Sequence, residues 1–86
     1  MSDELLPDLL AAVEQQLVSP QTKYVAKTLQ RLVKAGLEED EAKRQIAYCL
    51  SEEMFEILRQ KRPFDESAYR AALDALPLSP EEDEEE

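Results

Sequence analysis

A single glycine, Gly36, stands in a chain of 86 residues dominated by Ala, Leu, Glu, Lys, Arg and Gln. These are good helix formers, β-branched residues are few, and no stretch of four or more residues alternates cleanly as a half-buried strand does. The chain therefore reads as all-α: a compact bundle of four helices, the last one short, over residues 1–78. An acidic tail, 79–86, follows, with too little apolar surface to fold and an expectation of disorder. A chain this short allows one domain, which buries only about 60% of the surface its unfolded form exposes, so the core must be thin.

Punctuation residues set the expected helix limits. Leu6, Leu9, Leu10, Val13 and Leu17 recur at helical spacing and predict a first helix from about Asp3 to Leu17, with Ser2 or Asp3 as N-cap. Pro7 is tolerable there only in the first turn. Ser19-Pro20 is a second start signal, an N-cap followed by a proline that needs no N–H. The helix it opens should run to Ala35, bury Val25, Ala26, Leu29, Leu32 and Val33, and stop at Gly36, where a left-handed cap residue is required. A third helix is predicted from Glu38 or Glu39 to Lys61. Acidic residues crowd its start and Arg59, Lys61 and Arg62 its end, as the helix dipole favours. Pro63 closes it. Asp65 caps a fourth helix ending at Leu76, and Phe64 with Tyr69 occupy the two positions of a hydrophobic staple.

Charge narrows the partners. The net charge is −10, but the six acidic residues 81–86 carry −6 of it, leaving −4 for residues 1–80. An acidic protein repels phosphate backbones, so nucleic acid is a disfavoured partner. No apolar run approaches the roughly 20 residues that span a bilayer, so no membrane is expected. The N-terminal sequence has no basic stretch of the secretory kind. Cys49 is the lone cysteine, which rules out an intramolecular disulfide and suits a reducing cytoplasm.

Chemistry is poorly supplied. There is no histidine, so the commonest general base and metal ligand is missing, and there is neither a glycine-rich phosphate loop nor a nucleophile elbow. No catalytic residue, cofactor site or metal site is assigned, and no enzyme is expected. Cys49 falls on the apolar face of the third helix with Ile46, Leu50 and Ile57, where it should be an inert small hydrophobe. Two glutamates sit close to apolar faces: Glu14 beside Leu10, and Glu53 between Cys49, Leu50 and Ile57. A buried lone carboxylate is costly, so either both reach the solvated rim or, as a pair, they hold a ligand or a hard cation.

Two helix faces are candidate partner-binding surfaces. Lys23, Lys27, Arg31 and Lys34 share one side of the second helix, and no acidic residue lies between Pro20 and Leu37. This basic face suits an acidic partner, a phosphate-bearing ligand or the protein's own tail. The third helix carries apolar residues on two sides. Ala42, Ile46, Cys49, Leu50 and Ile57 form the main face, widened by Met54 and Leu58, while Tyr48 and Phe55 lie on the far side. A helix of this kind is sandwiched in its own domain or contacts another chain. Either the fourth helix covers Tyr48 and Phe55 through Tyr69, Leu73 and Leu76, or they meet a partner, most commonly in a homodimer.

The corner Leu32-Val33-Lys34-Ala35-Gly36-Leu37 followed by Glu41-Ala42 is similar to a helix-turn-helix corner and to the first turn of ubiquitin-associated domains. Four acidic residues, Glu38 to Glu41, would however open any recognition helix and face phosphates. Over residues 14–76 the chain resembles a small, uncharacterised bacterial family of all-helical domains. The likeness rests on Glu14-x-Gln16-Leu17, on Leu29-x-x-Leu32-x-x-x-Gly36-Leu37-x-x-x-Glu41-Ala42, on Ile46 and Leu50-x-Glu52, and on Arg62-Pro63-Phe64-Asp65-x-x-x-Tyr69-x-x-x-Leu73. The family pattern has histidines where this chain has Leu6, Leu10 and Arg44, so any metal role in the family does not carry over. What the resemblance implies is the fold. The function expected is a non-enzymatic protein interaction or accessory module acting through its helix surfaces. The alternatives are a ligand- or metal-binding bundle using Glu14 and Glu53 and, more remotely, a nucleic-acid binder through the second helix.

Overall fold

The computed structural model describes residues 6–77. Four α-helices follow one another: α1 (Leu6–Val18), α2 (Lys23–Lys34), α3 (Glu39–Gln60) and α4 (Glu66–Asp74), with a 3-10 turn, Pro20–Thr22, before α2. No strand occurs among the described residues. The expected caps Ser2 and Asp3 and the acidic tail lie outside them.

Several of the starts and stops have a local cause. Ser19 is an N-cap as expected, its Oγ accepting from the Gln21 N–H at 3.2 Å, but the segment it caps is the 3-10 turn. The Thr22 hydroxyl donates to the Gln16 carbonyl at 2.8 Å and ties the turn to the last turn of α1. The regular helix therefore begins three residues later than the proline signal implied. At the other end of α2, the Gly36 N–H bonds the Val33 carbonyl at 3.0 Å and the Leu37 N–H bonds the Leu32 carbonyl at 3.1 Å. This pair of bonds is a Schellman motif, and Gly36 holds the positive φ it requires, 113°. α3 ends the same way without glycine: Lys61 takes the left-handed conformation, φ 54°, and the Arg62 N–H reaches back to the Ile57 carbonyl. Asp65 caps α4 by accepting from the Ala68 N–H at 3.2 Å. The staple forms as expected, with the Phe64 and Tyr69 rings edge-to-face at 5.6 Å. α4 closes at Asp74, two residues short of expectation, and Leu76 enters the core from beyond its end.

The core gathers Val13 from α1, Val25 and Leu32 from α2, five positions of α3, and Tyr69, Leu73 and Leu76 from the α4 segment. α1, α2 and α3 pack on one another, and α4 lies against α2 and α3. α1 runs antiparallel to α3: Glu14 meets Lys43, while Asp8, Leu9 and Ala12 meet Ser51 to Leu58. Two apolar assignments need correcting. Val33 is not buried but 43% exposed, and Thr28 is inside in its place. The Thr28 hydroxyl is satisfied by donating to the Tyr24 carbonyl at 2.9 Å, which lets a polar residue occupy the core face. Met54 and Leu58 do not widen the main core; they are 48% and 77% exposed.

Candidate interaction surfaces

The polar groups nearest the core are structural. Glu53 projects from the buried face of α3 and is 5% exposed. Its carboxylate accepts from Arg62 Nη1 at 2.7 Å, from Arg62 Nη2 at 3.0 Å and from the Asp65 N–H at 2.9 Å. The Arg62 bonds, reinforced by the Asp65 N–H, hold its pKa below the ordinary glutamate value despite burial. The rim-solvated expectation for Glu53 is thus overturned: the carboxylate is buried because the chain after α3 folds a guanidinium onto it. Glu14 is exposed and pairs instead with Lys43 at 2.6 Å, a lysine that also reaches Glu39 at 3.4 Å. The two glutamates, a pair only in the alternative reading, are each held by a different cation. Among the described residues no group of three or more His, Cys, Asp or Glu side chains is placed to hold a metal ion.

Cys49 is buried, and burial pushes its thiol up to about 11, with the Glu52 carboxylate adding to the rise. A thiol so held is protonated at neutral pH and is a poor nucleophile. The Tyr69 hydroxyl donates to Gln16 Oε1 at 2.7 Å, and burial raises its pKa as well. Tyr24 is pushed up to about 12 by burial and by the nearby Glu66 carboxylate. Its ring meets Tyr69 edge-on at 6.1 Å and carries the Arg70 guanidinium 4.8 Å from its centre.

The basic face of α2 is divided. Arg31, expected to be available to a partner, donates to the Leu76 carbonyl at 2.7 Å and the Leu73 carbonyl at 2.8 Å. It therefore closes the carbonyl end of α4, a role that the one-helix pattern could not show. Lys23, Lys27 and Lys34 are exposed, and none forms an ion pair among the described residues. Lys27 and Lys34 flank Arg31 in a shallow depression.

The second apolar side of α3 is open. Tyr69, Leu73 and Leu76 all go into the main core, so α4 leaves Tyr48 51% and Phe55 61% exposed. Phe55 joins Met54, Leu58 and Ser51 of α3 and Leu9 and Ala12 of α1 in an apolar groove of about 410 Å³, with Asp8 at its edge. Tyr48 stands two turns N-terminal of Phe55 along α3, and the neighbouring Glu52 carboxylate raises the pKa of its phenol. Met54 and Leu58 belong to this surface but were missed as site residues. Their i, i+4 spacing was visible, but which side of α3 would face α1 was not.

The fold and surfaces of the described residues define a class: a small all-α protein with an open apolar groove and a divided basic face. No protein-family model, no curated protein and no solved structure matches the chain. No helix among the described residues is long and apolar enough to cross a membrane.

Proposed function

We propose that this protein is a non-enzymatic interaction module that receives a basic amphipathic helix of a partner protein in the groove between α1 and α3. The observation that supports this reading is the commitment of α4 to the core. Tyr69, Leu73 and Leu76 are 0%, 1% and 3% exposed, which leaves Met54, Phe55 and Leu58 uncovered beside Leu9 and Ala12. Contiguous apolar surface of this kind marks interaction sites, and a groove between two helices suits a helix bearing apolar residues at i, i+3 or i+4 and i+7. Charge selects the occupant. Asp8 sits at the groove's edge and the chain carries −10 overall, so a second copy brings like charge while a cationic helix brings its opposite. A cytoplasmic setting accords with the single free cysteine.

The test is a titration with a fluorescent helical peptide of leucine and lysine, and with a scrambled peptide of equal charge, alongside sedimentation of the protein alone. The ordered peptide should bind and the scrambled one should not. Phe55→Glu with Leu58→Ser should weaken binding by about 30-fold or more, the effect expected of a central aromatic anchor. Both positions are exposed, so the melting temperature should barely move. Equal binding of the two peptides would leave only charge attraction. A wild-type dimer that Tyr48→Glu with Phe55→Glu converts to a folded monomer would assign the groove to a second copy.

A further inference from the structure

A different observation concerns the place where the described chain ends. Arg31 on α2 grips a carbonyl in the last turn of α4, that of Leu73, and the carbonyl of Leu76 beyond the helix. Leu76 is itself 3% exposed. The chain therefore leaves the core on the α2 side, at Arg31 and next to Lys27. The sequence then runs through four residues, 77–80, into the uninterrupted acidic run 81–86. We propose that this acidic run docks on the lysine ledge of α2, formed by Lys23, Lys27 and Lys34, and so masks the basic face against other anions.

Reach, charge and tethering each support the assignment. From Leu76 to Glu81 the chain spans at most about 17 Å. Lys27 and Lys34 lie on either side of the Arg31 anchor, about 6 Å and 4.5 Å away along the helix axis. A six-residue run can reach at most roughly 20 Å, enough to match the ~16 Å from Lys23 to Lys34 along the axis. The ledge has no acidic residue of its own between Pro20 and Leu37. Among the described residues, the carboxylates at its border are Asp74, beside Lys27, Glu39, which reaches Lys43, and Glu66, beside Tyr24. A short tether supplies the run at a millimolar effective concentration, which favours its own chain over a second copy in dilute solution. The contact is one between exposed charges and must weaken as salt is added.

The experiment compares the full chain with a full-length variant in which the run is neutralised, Glu81→Gln, Glu82→Gln, Asp83→Asn, Glu84→Gln, Glu85→Gln and Glu86→Gln. A labelled hexaglutamate peptide is the probe. At low salt the neutralised variant should bind hexaglutamate at least about 10-fold more tightly than wild type, and Lys27→Gln with Lys34→Gln in that background should abolish the gain. In wild type the backbone amide resonances of Lys27 and Lys34 should move toward their positions in the neutralised variant as salt rises, independently of protein concentration. Equal affinity of wild type and neutralised variant overturns the proposal. So do lysine resonances that ignore neutralisation, and so do shifts that grow with protein concentration, which would place the run on another copy.

Discussion

Glu53 shows how one residue can join two elements. Its helical position lies inside the apolar face of α3, where a carboxylate alone would be expensive. Arg62 and the Asp65 N–H remove that expense by supplying three donors between 2.7 and 3.0 Å. The knot fixes the turn from α3 into α4, because Asp65 is at once donor to Glu53 and N-cap of α4. The Glu53 pKa is depressed in the fold, so its contribution is complete above the ordinary value of 4.5 and is lost as pH falls through the lower folded value. Glu53→Gln keeps the shape and removes the charge. Thermal melts at pH 7 should therefore fall on the order of 5–10 °C for the variant. The gap should narrow as the pH falls below 4.5 and through the lower folded value, where the wild-type carboxyl takes up its proton too.

At the scale of elements, the two left-handed caps make opposite predictions. Gly36 holds φ 113°, and a Cβ there would meet nothing within 4 Å, so any penalty for a side chain is conformational and not steric crowding by neighbours. Gly36→Ala should cost about 1 kcal/mol, and Gly36→Val more, because a β-branched residue tolerates positive φ least. Lys61 holds φ 54° without the freedom of glycine. Lys61→Gly should stabilise by about 0.5 kcal/mol, the relief of left-handed strain less the added freedom of the unfolded chain. Urea unfolding measures both; a loss in the Lys61 variant would mean that the cap carries no strain.

For the whole molecule, Cys49 is a built-in reporter of opening. Its side chain is buried in the one core that α1, α2, α3 and the α4 segment share, and its thiol is held near 11. A thiol reagent such as Ellman's reagent should therefore label it slowly at pH 7.5, at a rate that rises with urea in step with unfolding followed by circular dichroism. Fast labelling of the native protein, without change of helicity, would show that α3 is uncovered by local opening.

Sequence alone determined the class of fold, the caps at Ser19, Gly36 and Asp65, and the acidic tail's composition, because these depend on neighbours within a turn or two. Ser19, Gly36, Asp65 and the Phe64–Tyr69 staple all act at such range, and each stands where its spacing placed it. Tertiary structure decided whatever depends on how helices turn toward one another. It brought Arg31 to the carbonyls of residues 42 and 45 positions later, folded Arg62 onto Glu53, and placed Thr28 rather than Val33 inside. It also decided the candidate site. Phe55 and Tyr48 were visible as a second apolar side of α3. Their exposure, and the joining of Phe55 with Met54 and Leu58 in one groove, followed only once α4 had committed its apolar residues to the core. Periodicity tells which residues share a face of a helix; only the packing of the other helices tells whether that face is covered.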